Sequence, residues 1–326
     1  YKRQAYAANT AGTISGLGNE AISISDLGTV VSASDVADIE ALTSGSVTVA
    51  ISGTTATASS LNSLDAGSTQ AINAAGVTAL TGAAADINTA YASAGISGLG
   101  NEAVTLTDTS LATSTLTTLD GNTSGTVNAS TVTTLTGSAA DITSTLGATG
   151  ITFGTTVGGT INDVSVSASA LNTLDTAAGG TIDASTVKTI TGTGTAALTA
   201  FESAGISGLV FDASSYIAGY ADLMAAFSSD LGMARVHYFD FGVSEGRSFD
   251  AFDEASYLAS YSDLLAAFGT NTDSALIHYI NNGFSEGRAV DTFDENSYLA
   301  SNTSLIGTVT DAAAHYVSTG YAAGLA

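Results

Sequence analysis

The hydrophobic and polar positions of residues 14–209 follow one short pattern that recurs along the chain. Each unit begins with an alternating run such as Val104-Thr105-Leu106-Thr107, and alternation of β-branched apolar and polar residues predicts a β-strand. A stretch with apolar residues three or four positions apart follows, which predicts a short helix or 3₁₀ turn. Glycines close these stretches, as expected at a helix C′ position; they are Gly95, Gly150 and Gly205.

The pattern forms a 55-residue repeat with a constant interval between its copies. Leu-Asn-Ser-Leu-Asp at 61–65 returns in related form at 116–120 and 171–175. Ile14–Asp26 also resembles Ile96–Asp108, about one and a half repeats further on, which predicts two coils of about 27 residues per unit. We therefore expect a lead-in at 1–13 and a strand-rich repeat solenoid at 14–209, a β-solenoid with short helices in its coils.

A second, 41-residue repeat begins near residue 210. Its Phe-Asp-x-x-Ser-Tyr opening starts at Phe211, Phe252 and Phe293. The following apolar residues are spaced for one face of a helix: Tyr257, Leu258, Tyr261, Leu264, Leu265 and Phe268. A second helix is expected to end at Gly283. Residues 210–326 are therefore predicted to form an all-α module of tandem helical hairpins.

Composition narrows the classes of partner. Among 326 residues, 30 are acidic and only six are Lys or Arg, which gives a net charge of −24. A chain so poor in cations is not expected to bind nucleic acid or an anionic membrane surface. It has no cysteine, and no apolar run of the length that crosses a membrane. Because residue 1 is Tyr, we expect a processed or excised part of a longer product.

The sequences of both repeats resemble repeats of very large, acidic secreted proteins of marine cyanobacteria and proteobacteria. Residues 171–187 resemble their Thr/Ser-rich repeat arrays. The pattern Ser-Tyr-x-Asp-Leu-x-x-Ala-Phe-Gly, followed by His-Tyr and Glu-Gly-Arg at 260–288, resembles a module of adhesin, surface-layer and calcium-dependent export proteins. The resemblance implies a structural role at the cell surface, often with calcium, although the chain lacks the Gly-Gly-x-Gly-x-Asp calcium nonapeptide.

Acidic and amide side chains are the candidate calcium ligands, because hard cations prefer oxygen. In the first repeat region these are Asn19, Glu20 and Asp26, and the corresponding Asn101, Glu102 and Asp108. In the second region they are Asp250, Asp253, Asp291 and Asp294. The alternative role of these last four is capping of helix N-termini.

The histidines and arginines of the second repeat are expected to be structural. His237, His278 and His315 recur once per unit, and equivalent positions in neighbouring units need not converge on one metal. The arginines of the two Glu-Gly-Arg segments, Arg247 and Arg288, are expected to reach a carboxylate or helix carbonyls. Residues 14–208 contain one cation, Lys188, and no histidine, so a catalytic serine would lack a base there. We do not expect an enzyme.

These observations favour an extracellular structural protein of the cell surface. We expect it to associate with copies of itself into a surface layer, filament or matrix, since repeat stacks carry open ends. The alternative is an adhesin stalk that presents a binding module to a glycan or another cell.

Overall fold

The computed structural model describes residues 22–24, 41, 47–51 and 53–325. They form two compact units. One contains the described residues up to Asn162 together with Thr173–Asp183, and the other contains Asp163–Asn172 and the residues from Ala184. The predicted lead-in at 1–13 lies outside the described residues, and the predicted domain boundary near residue 210 stays a prediction.

Short parallel strands build the sheets. One sheet has the order β1 (Ile22–Ile24), β2 (Val47–Ala50), β4 (Ile72–Asn73), β6 (Ile96–Ser97). A second has the order β3 (Thr55–Thr57), β5 (Ala79–Gly82), β7 (Ala103–Leu106), β9 (Val127–Ala129), β11 (Ile151–Phe153). A third contains β8 (Ser110–Ala112), β10 (Thr134–Gly137), β12 (Gly158–Ile161) and β14 (Ile182–Asp183). In the second unit, β13 (Ser165–Ser167) pairs with β15 (Thr189–Thr191), and β16 is Ile206–Ser207.

Helices alternate with these strands. Between residues 53 and 209 they are α1 (Ala58–Gly67), α2 (Ala84–Ala92), α3 (Thr113–Asn122), α4 (Ala139–Leu146), α5 (Ala168–Ala177) and α6 (Gly194–Glu202). The predicted β-solenoid is wrong, because the chain is an α/β protein with parallel sheets. The segments expected to form a short helix or a 3₁₀ turn are α-helices of eight to ten residues. Each buries apolar side chains, such as Leu116 and Leu119 in α3, and this burial stabilises helices whose Thr and Ser content alone would not.

The interval between paired strands is shorter than the interval of the sequence repeat. Thr55 pairs with Ala79, and Ala79 pairs with Ala103. Equivalent positions of the 55-residue repeat lie more than twice as far apart, so β5 and its copy β10 belong to different sheets. The second sheet runs from β3 to β11 and is therefore longer in sequence than one repeat. Neighbouring repeats thus interlock through backbone hydrogen bonds.

Asparagine side chains join successive helices. Asn62 of α1 donates to the carbonyl of Asp86 in α2 at 2.9 Å, and Asn88 of α2 donates to the carbonyl of Thr115 in α3 at 3.0 Å. An amide inside a helix usually weakens it, but here it satisfies the neighbour's carbonyl. The same residue type therefore connects one helix to the next along the first unit.

The regularly spaced glycines serve a different purpose from the predicted one. Helix α2 ends at Ala92, three residues before Gly95. A Cβ at Gly95 would lie 1.8 Å from Oδ1 of Asp65, and one at Gly150 would lie 2.3 Å from Oδ1 of Asp120. These glycines therefore make room for the aspartates that recur in the Leu-Asn-Ser-Leu-Asp segments, and the predicted C′ role is wrong for them.

Residues 211–325 are helical, and each 41-residue repeat contains three helical segments. The first repeat has α7 (Ala213–Ala218), α8 (Ala221–Phe227) and α9 (Leu231–His237); the second has α10 (Glu254–Ala259), α11 (Ser262–Phe268) and α12 (Thr272–His278). The third has α13 (Glu295–Ser301), a 3₁₀ turn at Thr303–Leu305 and α14 (Ala312–His315). The third segment of each repeat continues into a π-helical turn, at Tyr238–Gly242, Tyr279–Gly283 and Tyr316–Gly320. Among the described residues, no helix is both long and apolar enough to cross a membrane.

The predicted two-helix hairpin is therefore wrong. The expected first helix is interrupted between α10 and α11, where Tyr261 has an extended backbone (φ −133°, ψ 107°). The Ser260 hydroxyl donates to the carbonyl of Ser256 at 2.7 Å, a local bond of the kind that competes with helical ones. Tyr257, Leu258, Leu264 and Leu265 are buried, and Tyr261 and Phe268 are partly exposed. The helical spacing was therefore informative although the helix is broken.

Replacing Gly125 by alanine is expected to lower the free energy of unfolding by about 1–3 kcal/mol, the usual effect of overpacking. A Cβ at this position would lie 2.1 Å from the carbonyl oxygen of Glu102, a backbone atom. Gly121→Ala is the control, since nothing lies within 4 Å of its Cβ position. Urea denaturation followed by circular dichroism measures both. Equal midpoints for the two variants would contradict the close backbone approach.

Candidate functional site

The second unit contains a tyrosine–histidine pair in every 41-residue repeat. Nδ1 of His237 shares a hydrogen bond with the hydroxyl of Tyr216 at 2.9 Å. The equivalent distances are 3.0 Å for His278 and Tyr257 and 2.8 Å for His315 and Tyr298. Each pair joins the third helical segment of a repeat to its first helix.

The tyrosine of each pair is buried, and burial raises the pKa of Tyr257 to about 12. Its hydroxyl therefore stays protonated at neutral pH and is a poor general base. Each hydroxyl also lies against a glycine of the π-helical turn, where a Cβ would approach to 2.4 Å at Gly242 and 2.3 Å at Gly283. The recurring tyrosine, histidine and glycine thus form a packing contact, and the histidines lie in separate repeats, as the sequence suggested.

In each of the first two repeats an arginine binds two carboxylates, and we call this contact the clamp. The guanidinium of Arg288 donates to both carboxylate oxygens of Asp263, at 3.1 and 2.8 Å, and its Nε donates to Glu286 at 2.6 Å. The guanidinium also lies 4.8 Å from the ring centroid of Tyr261. Hydrogen bonds from Arg288 lower the pKa of Asp263. Arg247 makes the same contacts with Asp222, Glu245 and Tyr220.

Arg288→Lys is expected to lower the free energy of unfolding by about 0.5–1 kcal/mol, because an ammonium cannot bind both carboxylate oxygens in this planar geometry. The carboxylate of Asp263 is largely exposed, which keeps the effect small. A double-mutant cycle with Asp263→Asn, measured by urea denaturation, isolates the pair. A coupling energy indistinguishable from zero would contradict the clamp.

In the first unit, the calcium candidates Glu102 and Asp108 have protein donors. Glu102 is fully buried, and its carboxylate accepts from the Gly100 N–H at 2.9 Å and from the Tyr91 hydroxyl at 2.9 Å. Asp108 accepts from the N–H of Ala84 at 2.8 Å, at the start of α2. It caps a helix whose own N-cap residue, Ala83, has no side-chain acceptor. Asn101 is exposed.

In the second unit, the structure places Asp250, Asp253 and Glu254 close to Asp212. Asp253 and Asp212 cap α10 and α7. Asp250 accepts from the Ser215 hydroxyl at 2.9 Å and forms an ion pair with Lys188. Burial, together with the charges of Asp250, Asp253 and Asp212, raises the pKa of Glu254 from 4.5 to about 7.

The remaining candidates, Asp291 and Asp294, lie at the start of the third repeat. Asp291 accepts from the N–H of Phe293 at 3.0 Å, and Asp294 caps α13 by accepting from the N–H of Ser297 at 2.9 Å. Capping is thus the observed role of Asp253 and Asp294. Within the described part of the chain, no three or more His, Asp or Glu side chains are arranged to hold a metal ion. Asn19, Glu20 and Asp26 lie outside the described residues.

Glu254→Gln is expected to raise the melting temperature at about pH 8 and to leave it unchanged near pH 4. The native state keeps the Glu254 proton up to a pKa of about 7, whereas the unfolded chain releases it near 4.5. The wild-type protein therefore loses stability as pH rises through this window, and glutamine removes that loss. Glu295→Gln, at the equivalent exposed position of α13, is the control for net charge. Equal pH profiles for the two variants would contradict the assignment.

A polar groove lies between α3 and α4 in the first unit. Its volume is about 390 Å³, and it is lined by Thr113, Ser114, Thr117, Thr118, Asp141, Ser144 and Thr145. Several of its hydroxyls are already used, since Thr117 donates to the carbonyl of Thr113 and Thr145 to that of Asp141. The groove therefore offers few free donors to a ligand.

Sequence reasoning missed the partners of the arginines and the Lys188–Asp250 ion pair. The aspartate partners of the two arginines could have been found from the sequence. Asp222 and Arg247 are separated by the same number of positions as Asp263 and Arg288, and Ser304 and Leu325 occupy both positions in the third repeat. A joint loss of this kind indicates a direct pair. Lys188 belongs to the other repeat pattern and gave no such signal.

A scan against protein-family models, a search of curated proteins and a search of solved structures each found no match to this chain.

Proposed function

We propose that the chain is an extracellular structural protein that associates with copies of itself into a surface layer, filament or matrix. The observation that carries the proposal is the interlocking of repeats, in which strands of one 55-residue repeat pair with strands of the next. In repeat proteins each unit is held by contacts with its neighbours, and we propose that copies of this chain add to one another through contacts of the same kind.

The use of the polar side chains supports this proposal. The histidines bond to tyrosines, Arg247 and Arg288 bond to carboxylates, and Asp253 and Asp294 cap helices. These groups stabilise the segments within each repeat, and a structural protein needs contacts of this kind rather than poised reactive groups.

The charge of −24 makes association dependent on the ionic conditions. Like-charged copies repel one another, and salt or divalent cations screen that repulsion. Calcium belongs to the proposal as a cation that carboxylates of neighbouring copies would share. Assembly should therefore be weakest in low salt with a chelator present.

Negative-stain electron microscopy of concentrated protein tests the proposal. We expect regular fibres or sheets in about 0.5 M NaCl or with calcium, and fewer after chelation at low salt. Magnesium at equal concentration is the control for calcium. Dispersed monomers under every condition would refute self-assembly, and binding of those monomers to cells or sugars would favour the adhesin stalk instead.

A further inference from the structure

Lys188 and Asp250 bring the two repeat patterns of the chain together within the second unit. Lys188 directly precedes strand β15, and Asp250 lies in the segment that leads from the first 41-residue repeat into α10. The two side chains are in direct contact, with Nζ of Lys188 against Oδ2 of Asp250. The residues are 62 positions apart in sequence, so a covalent bond between them would close a long loop.

Backbone hydrogen bonds hold this contact in place. The N–H of Phe249 donates to the carbonyl of Lys188 at 3.0 Å, and Ser248 forms an antiparallel bridge with Thr189. Phe249 is buried and packs edge-on against Phe201, with 5.3 Å between the ring centroids. The amine and the carboxylate are therefore carried by two segments in a fixed relative position. Such positioning is what gives reactions within one molecule their high effective concentrations.

The lysine occurs in the copy of the 55-residue repeat that meets this aspartate. The equivalent positions of the two preceding copies are Thr78 and Thr133. Among the residues that the structure describes, Lys188 is the single lysine. Asp291, the counterpart of Asp250 one 41-residue repeat later, accepts from a backbone N–H instead. The change from threonine to lysine thus coincides with the approach of Asp250.

Two further side chains act on the carboxylate of Asp250. The Ser215 hydroxyl donates to Oδ1, the oxygen that does not contact the lysine, at 2.9 Å. Glu254 is half-buried at the start of α10. Burial, together with the charges of Asp250, Asp253 and Asp212, raises the pKa of Glu254 to about 7. A carboxyl group with this pKa both donates and accepts protons readily at neutral pH.

We propose that Lys188 and Asp250 condense into an amide bond, which joins the strands and the helical repeats of the second unit covalently. Nζ of Lys188 attacks Cγ of Asp250, a C–N bond forms and one C–O bond breaks. Two of the three ammonium protons leave with the released oxygen as water, and the third stays on the amide nitrogen. The ion pair therefore supplies every atom of the reaction, and no oxidant or second substrate is needed.

Ser215 and Glu254 have separate roles in this reaction. The Ser215 hydroxyl stabilises the negative charge that develops on Oδ1 as the nitrogen attacks. Glu254 carries a proton from the nitrogen to the departing oxygen. The product closes the loop between positions 188 and 250 and constrains the unfolded chain as a disulfide does. This cross-link does not depend on association between copies of the chain.

Intact mass spectrometry of the denatured full chain tests the bond. We expect the wild-type protein, incubated at neutral pH until its mass is constant, to be lighter by one water than its sequence requires. Lys188→Arg is the matched control, because a guanidinium keeps the ion pair but does not condense with a carboxylate. This variant and Asp250→Ala should both have the full mass.

Trypsin, which cuts after lysine and arginine, locates the bond. In the cross-linked protein Lys188 resists cleavage, and the peptide 4–235 stays joined to the peptide 248–288. A full mass together with complete cleavage after Lys188 in the wild type would overturn the inference, whether or not the variants fold. Equal loss of water from wild type and Lys188→Arg would overturn it as well.

The rate at which the lighter form accumulates in freshly synthesised protein tests the proton transfer. We expect the wild-type rate to be highest near pH 7, where Glu254 is half protonated. Glu254→Gln should lower this rate about 100-fold. Glu295→Gln, at the equivalent position of the next repeat, should leave it unchanged. Equal rates for the two variants would refute the role of Glu254.

Discussion

Parallel pairing between successive strand segments is the constraint on which the first unit depends. The interval between paired strands does not divide evenly into the interval of the sequence repeat, so equivalent strands fall in different sheets. The longer sheets therefore combine strands from neighbouring repeats. Because parallel strands need a connection between them, the helices that follow the strands lie in sequence between successive partners. A single repeat cannot complete these sheets from its own residues.

The 41-residue helical repeats also depend on contacts between segments, and here side chains make those contacts. A first helix such as α7, of six residues, is too short to be stable alone. It is held by a buried tyrosine, a histidine from the third segment and a glycine that permits their approach. Each repeat then covers the first helix of the one before it. Stability in both units thus comes from contacts between consecutive segments.

The sequence predicted those parts of the structure that local patterns determine. The periods, the helical nature of residues after 211 and the N-caps Asp253 and Asp294 were readable because each depends on residue types at short spacing. Strand partners were not readable, since Leu80 lies beside Val104 and not beside its copy Leu135. Helix α3, rich in threonine, forms because Leu116 and Leu119 are buried. The cap of α2 comes from Asp108, which follows the helix in sequence, and no local pattern indicates it.

The third repeat shows which contacts belong together. Its second helix is reduced to a 3₁₀ turn at Thr303–Leu305, and the aspartate and arginine that clamp this helix elsewhere are replaced by Ser304 and Leu325. The clamp and the helix it holds have thus been lost together. The tyrosine–histidine pair and the Ser-Tyr-Leu-Ala-Ser segment are kept. The contact between the first and third segments of this repeat is therefore kept where the second helix and its clamp are not.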